Sequence, residues 1–139
     1  MSQPEISRVL IAGEAAGEAL VLDEPLSLWG GLDPESGRII DPRHPQFGEV
    51  VKGRVLVMPF GRGSSSASSI LLESVRLRTA PAALVLSETD GILALGAMVA
   101  REMYQRCPAV LVASAVGYAK LRTGRRVVIS ADGSIAIDD

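Results

Sequence analysis

Three uninterrupted apolar runs set the frame: Arg54-Val-Leu-Val-Met58, Ala83-Leu-Val-Leu86 and Ala109-Val-Leu-Val-Ala113. Each is short, β-branched and free of alternation, which predicts strands buried on both faces. Between the first two, Ile70, Leu71, Val75 and Leu77 recur at helical spacing, with Glu73, Arg76 and Arg78 towards solvent and Pro81 as the stop. Between the second and third, Ile92 to Tyr104 forms another helix with Arg101 and Glu102 on its polar side. Strand, helix, strand, helix, strand argues for a parallel sheet with right-handed crossovers.

The ends of the chain have a different pattern. Arg8-Val-Leu-Ile-Ala12 and Glu18-Ala-Leu-Val-Leu22, separated by Gly13 to Gly17, predict an opening hairpin or a pair of adjacent strands. Arg126-Val-Val-Ile-Ser130 and Ser134-Ile-Ala-Ile137 predict a closing hairpin across Ala131-Asp-Gly133. The expected fold class is α/β, as a layered β/β/α domain with parallel central strands and antiparallel strand pairs at the ends. Met58, Met98 and Met103 read as core, and Cys107 as a small buried apolar group at the end of the second helix.

From Trp29 to Gly48 the pattern breaks. Gly30, Gly31, Gly37, Gly48, Pro34, Pro42 and Pro45 punctuate a long ordered loop, relieved only by the short strand Arg38-Ile-Ile40. Asp33-Pro-Glu-Ser-Gly37 carries turn chemistry. A loop this long in a compact domain is expected to have a use. Trp29-Gly-Gly-Leu-Asp-Pro34 reads either as a pocket wall or as a turn with Trp29 packed on the core. His44, beside two prolines, reads as lining a site or as an ordinary surface residue.

Composition narrows the function. A chain of 139 residues with 47% hydrophobic and 22% charged residues is a single globular domain, assigned here to residues 1–139. Fourteen Lys and Arg against sixteen Asp and Glu give a net charge of −2, too acidic for a phosphate-backbone partner, and two Tyr, two Phe and one Trp offer little for base stacking. No nucleic acid is expected. Cys107 and His44 are the single cysteine and histidine, too few for a zinc site or a disulfide. No metal ligand is therefore expected from this chain. The start Met1-Ser-Gln-Pro-Glu5 has no basic stretch before the first apolar run, and the longest uncharged stretch, Cys107 to Ala119, is broken by Pro108 and Gly117. These features predict a soluble, cytoplasmic protein with no membrane contact.

The sharpest chemical feature is Pro59-Phe-Gly-Arg-Gly-Ser-Ser-Ser-Ala-Ser-Ser69, between a buried strand and a helix. In an open α/β sheet this is the carboxyl edge of the strands, where ligands bind. Gly61 and Gly63 permit a tight turn and close approach, and the serines bring hydroxyls to a helix N-terminus that favours an anion. Helix capping accounts for one serine, not for three in a row. Arg62, between the glycines, suits a carboxylate or phosphate. The Gly-Lys-[Ser/Thr] ending of a P-loop is absent, and so is the second glycine of a Gly-x-Ser-x-Gly elbow. Nucleotide binding and a free-standing serine hydrolase are both disfavoured.

Several long motifs in one order resemble the small subunit of aconitase X: Gly30-Gly-Leu-Asp-Pro-Glu-Ser-Gly37, Ile40-Asp-Pro-Arg-His-Pro45, Gly53-Arg-Val-Leu-Val-Met-Pro-Phe-Gly-Arg-Gly-Ser-Ser-Ser-Ala-Ser68, Ala80-Pro-Ala-Ala-Leu-Val-Leu86 and Leu93-Ala-Leu-Gly-Ala97 followed by Glu102-Met-Tyr104. The resemblance covers nearly the whole chain. It implies a swivelling domain like that of aconitase, working with a large catalytic subunit as a hydro-lyase on a small hydroxy acid. Two substrates are associated with the family, cis-3-hydroxy-L-proline in its bacterial branch and phosphomevalonate in its archaeal branch. Ser64-Ser-Ser-Ala-Ser68 and the Glu102-Met-Tyr104 segment look closer to the bacterial branch, so hydroxyproline is the preferred substrate and 1-pyrroline-2-carboxylate the product.

The family's proton-abstracting base is the first serine after the Gly-x-Gly turn, which falls on Ser64. A hydroxyl becomes a base only where its alkoxide is stabilised, and a helix N-terminus and a guanidinium provide that. Ser64 is therefore the expected catalytic residue, with Arg62, Gly63, Ser65 and Ser66 expected to hold the substrate carboxylate or developing enolate. The resemblance further implies that the iron or iron–sulfur centre polarising the leaving hydroxyl sits on the large subunit. A non-catalytic anion-binding swivel module is the competing class of function.

Overall fold

The computed structural model describes residues 5–62 and 65–138. Its strands are β1 (Glu5–Ile6), β2 (Arg8–Ile11), β3 (Ala15–Val21), β4 (Leu32–Asp33), β5 (Arg38–Ile39), β6 (Val55–Met58), β7 (Ala83–Leu86), β8 (Ala109–Val112), β9 (Arg126–Ile129) and β10 (Ser134–Asp138). Its helical segments are α1 (Leu28–Gly31), α2 (Ser66–Arg76), α3 (Gly91–Tyr104) and α4 (Ala115–Ala119). Among the described residues no helix is long and apolar enough to cross a membrane.

The three apolar runs form β6, β7 and β8, paired in parallel, with β3 parallel to β6 on the other side. Successive side chains of these strands point to opposite faces. Leu56, Met58, Leu84, Leu86 and Val110 face Ala67 and Leu71 of α2 and Leu93 and Ala97 of α3. Val55, Val57, Ala83, Val85, Ala109 and Leu111 face Val127, Ile129, Ile135 and Ile137 of β9 and β10. The layers are thus β, β and α. Complete burial of side chains such as Leu56, Leu84 and Leu86 contributes about 1.5–3 kcal/mol each.

The closing hairpin forms as the sequence predicts, with β9 pairing antiparallel to β10 and also to β3. The opening hairpin does not form. The full sheet runs β1-β10-β9-β3-β6-β7-β8-β2, so β2 lies against β8 while β3 sits between β9 and β6. β1 and β2 are separated in sequence by Ser7 alone, yet occupy the two ends of that order. The sheet therefore curls until its edges meet at Ser7, whose N–H and hydroxyl both donate to the Gly133 carbonyl at 3.1 and 2.8 Å. The stretch expected as a hairpin turn is instead part of β3, and Gly17 is needed there because a Cβ would lie 2.4 Å from the Gly53 carbonyl oxygen.

Both long helices form. α2 stops at Arg76, ahead of Pro81, so Leu77 and Arg78 lie beyond it rather than on it. Arg78 turns the chain with a φ of 64°, and the Arg106 guanidinium caps the exposed carbonyls of Val75 and Arg76 at 2.9 and 3.3 Å. α4 was not expected; Ser114 caps it by accepting the Gly117 N–H at 3.0 Å. Met58 is buried as anticipated, whereas Met98 and Met103 are exposed on α3. Cys107 is half-buried and packs against the helix-side core.

Candidate functional site

β6 ends at Met58 and delivers Pro59-Phe-Gly-Arg62 to the carboxyl edge of the parallel strands. This segment is held from both sides. The Pro59 carbonyl accepts the N–H groups of Ser87 and Glu88, both at 3.1 Å, and the Gly61 N–H donates to Asp90 Oδ2 at 2.9 Å. Opposite, the Arg62 N–H donates to the Leu26 carbonyl at 3.1 Å beside a parallel bridge between Leu26 and Gly61. Glycine is required at 61 by proximity: a Cβ would meet Asp90 Oδ2 at 2.9 Å and Leu93 Cδ1 at 3.1 Å.

Gly63 and Ser64 lie outside the described residues. The chain resumes at Ser65, the residue that precedes α2, whose side chain makes no cap bond to the helix. Its carbonyl accepts both the N–H and the hydroxyl of Ser68, at 3.1 and 2.7 Å. Ser66 is the first helical residue and is partly buried. Ser65 thus spends no hydroxyl on capping and stands exposed at the positive end of the α2 dipole.

Arg62 faces a cleft of about 460 Å³ lined also by Glu24, Pro25, Ser27, Asp41, Arg43 and His44. The long loop expected to have a use forms one wall of it. His44 is not a surface residue: it is only 6% exposed. Its Nδ1 accepts the Gln46 N–H at 3.0 Å, which leaves the proton on Nε2, 3.1 Å from the Glu24 carbonyl. Gln46 adds two bonds to Asp23, accepting its N–H and donating to its carboxylate. Both ring nitrogens of His44 are therefore spent on fastening the loop, and the imidazole shapes the cleft instead of acting as a base. Asp41 is similarly occupied, taking the Arg43 N–H at 3.0 Å. Arg62 and Arg43 supply the positive charge on the cleft's lining.

Other side chains of this loop reach outward. Trp29 is 62% exposed, neither packed on the core nor among the cleft residues, and Ile40 and Phe47 are exposed as well. The Asp33 turn forms as predicted, closing the small β4–β5 pair.

Asp90 is the site residue that sequence reasoning passed over as part of a polar turn. Its position just ahead of a helical pattern is an N-cap signal, and Oδ1 does accept the N–H groups of Ile92 and Leu93 at 3.0 and 3.1 Å. The bond from Gly61 across to Oδ2 had no local signal.

The chain's own donors do not fit an iron centre. Among the described residues no group of three His, Cys, Asp or Glu gathers as a ligand set. Cys107 lies ahead of β8, at the amino edge of the parallel strands and opposite the edge that carries Arg62.

Comparison with known proteins places this arrangement. The sequence matches the family described as Aconitase X swivel domain over residues 6–137. It is 50% identical over 101 residues to a cis-3-hydroxy-L-proline dehydratase of Pseudomonas aeruginosa, covering 73% of this chain and 17% of that protein. It is 42% identical over 93 residues to the phosphomevalonate dehydratase small subunit of Methanothermobacter thermautotrophicus, covering 67% of this chain and 71% of the other. The chain thus spans about a sixth of the first of these relatives and most of the second. The crystal structure of Thermococcus kodakaraensis aconitase X in its holo-form superposes with a TM-score of 0.88 at 30% identity, covering 99% of this chain and 100% of that one. With fold, loop position and nearly the whole sequence in agreement, the chain belongs to the aconitase X swivel-domain family.

Proposed function

We propose that this chain is the swivel component of a cytoplasmic hydro-lyase that dehydrates cis-3-hydroxy-L-proline and is active only with a large aconitase X subunit. The observation that carries the reading is the serine-bearing loop strapped to the carboxyl edge beside a cleft whose lining includes two guanidinium groups. The 50% identity to the Pseudomonas dehydratase supports hydroxyproline as the substrate.

In this reading the Ser64 alkoxide takes the proton from the carbon alpha to the substrate carboxylate. The electron pair forms the ring double bond as the C3 hydroxyl leaves as hydroxide. The proton carried by Ser64 is then released to that hydroxide to give water and restore the alkoxide, and the resulting enamine tautomerises to 1-pyrroline-2-carboxylate. Removing that proton places charge on the carboxylate as an enolate. Arg62, with the backbone of Gly63 and the hydroxyls of Ser65 and Ser66, stabilises that charge at the start of α2. The iron or iron–sulfur centre of the holoenzyme belongs to the large subunit in this proposal and would polarise the leaving hydroxyl as a Lewis acid. The loop from Trp29 to Gly48 forms part of the joint between the two components, and docking completes the pocket.

Phosphomevalonate dehydration is the second reading. It draws on the extent of the match to the Thermococcus gammatolerans small subunit, 95% of each chain at 33% identity. Under that reading Arg62 and the α2 N-terminus receive a phosphate.

Turnover of both substrates by the reconstituted pair, wild type and Ser64→Ala, tests the proposal. Loss of the serine oxygen is expected to lower kcat by about 10²–10⁴-fold with assembly preserved. Unchanged turnover with weakened substrate binding would make the chain a non-catalytic anion-binding module. Water loss from phosphomevalonate alone would move it to the second reading.

A further inference from the structure

We infer that Asp90 is a positioning residue for the serine loop, setting where the chain enters Gly63 and Ser64 by tying Gly61 to the start of α3. The inference rests on the reading of Ser64 as the base.

Three backbone N–H groups converge on this one carboxylate. Oδ1 caps α3 through Ile92 and Leu93, and Oδ2 takes the Gly61 N–H at 2.9 Å, from a residue 29 positions earlier in the chain. A cap needs one oxygen; a serine or asparagine would serve as well. The second oxygen is spent on the loop. Gly61 is then fixed from the other direction as well, because a side chain there would run into Asp90 Oδ2 and Leu93 Cδ1. The Pro59 carbonyl is held by the N–H groups of Ser87 and Glu88 and by the Ser87 hydroxyl at 3.4 Å, and the Arg62 N–H by the Leu26 carbonyl, so Asp90 is the side chain among these straps that holds Gly61. Side-chain substitution can release it without cutting the rest. Misplacement of a reacting group by about 1 Å costs on the order of 100-fold in rate.

Asp90→Asn separates the two duties at a single atom. The amide oxygen keeps the two cap bonds, and the amide nitrogen then faces the Gly61 N–H, donor against donor. Asp90→Ser also keeps a cap and is too short to reach Gly61. Both variants, with Asp90→Ala and Ser64→Ala alongside, are measured in the complex with the large subunit for kcat, KM and Tm, and by hydrogen exchange at the Gly61 amide. The expected result for Asp90→Asn and Asp90→Ser is a loss of Gly61 protection, a fall in kcat of about 100-fold, KM within about twofold and an unchanged melting temperature. Full kcat in these variants beside an inactive Ser64→Ala overturns the inference alone. A kcat that falls only in Asp90→Ala, in step with its Tm, while the cap-retaining variants keep both, reduces Asp90 to a structural cap and also overturns it. Full kcat in Ser64→Ala overturns the reading underneath.

Discussion

Gly96 of α3 and Ser68 of α2 lie so close that a methyl group on Gly96 would sit 3.0 Å from the Ser68 carbonyl oxygen and 3.1 Å from its Cα. Both obstacles are backbone, so neither can swing aside. The contact falls one turn into α2, and Ser68 is itself bonded to the carbonyl of Ser65. The missing side chain on one helix thus sets the height at which the other helix starts.

Gly96→Ala weighs two opposing effects. Alanine favours a helix interior by about 1 kcal/mol over glycine. Forcing a methyl into a backbone contact costs about 1–3 kcal/mol. The clash wins, and Tm is expected to fall by about 2–5 °C. Gly91→Ala is the control, since a Cβ there, at the first residue of the same helix, meets nothing within 4 Å. It is expected to leave Tm unchanged or raise it. A rise in both variants by differential scanning calorimetry would mean that the helices are not in the contact described.

The contrast between these glycines marks where the sequence is readable. β6, β7 and β8 were legible because continuous apolar runs flanked by helical patterns have few other solutions, and α3 because its apolar and charged positions recur at helical period. The position of Gly61 and Arg62 at the carboxyl edge was legible from a buried run that ends at Pro59. Pairing partners were not: the β-rich apolar run in Arg8–Ile11 says that a strand forms, and nothing local says that β8 receives it. Met98 and Met103 read as core because spacing reports an apolar residue but not whether a neighbouring element covers it. The fastening role of His44 and the bond from Gly61 to Asp90 had no local signal, for one reason. Their roles depend on Glu24 and Gly61, brought close only by the finished fold.

His44 gives the clearest test of that tertiary role. Removing the ring in His44→Ala leaves the Gln46 N–H and the Glu24 carbonyl without their partner in a buried site. The expected cost is about 1–3 kcal/mol in urea denaturation. The wall formed by Asp41 and Arg43 loosens with it, so KM in the assembled enzyme is expected to rise more than kcat falls. A collapse of kcat with stability intact would instead make the imidazole a proton carrier.

Asp33 offers a pH handle on the same loop. The Ser36 hydroxyl, and after it the Glu35 N–H, hold its carboxyl below the ordinary aspartate range. A depressed folded pKa means that the carboxylate form is favoured by folding. The contribution is present above the unfolded value of about 3.9 and is lost as pH falls through the lower, folded value. NMR titration of the side-chain carboxyl should give a midpoint under that of an unstructured aspartate. Ser36→Ala removes the larger cause and should move the midpoint upward. An unchanged midpoint in that variant would assign the effect to the backbone alone.

Trp29 bears on assembly. At 62% exposure a tryptophan leaves a large apolar surface in water, and Ile40 and Phe47 of the same loop do likewise. If this loop joins the large subunit as proposed, Trp29 is its natural anchor, because buried aromatic residues dominate interface energies. Trp29→Ala should weaken association by about 2 kcal/mol or more, roughly a 30-fold rise in Kd, while leaving the Tm of the isolated domain unchanged. Met103→Ala is the matched control: it is 56% exposed but sits at the far end of α3, next to the amino edge of the sheet. Its Kd should stay within about twofold of wild type, as surface contacts outside a hot spot do. Isothermal titration of the large subunit with each variant decides the matter. Equal Kd values for wild type and Trp29→Ala would remove the Trp29–Gly48 loop from the joint and leave its exposed aromatics unexplained.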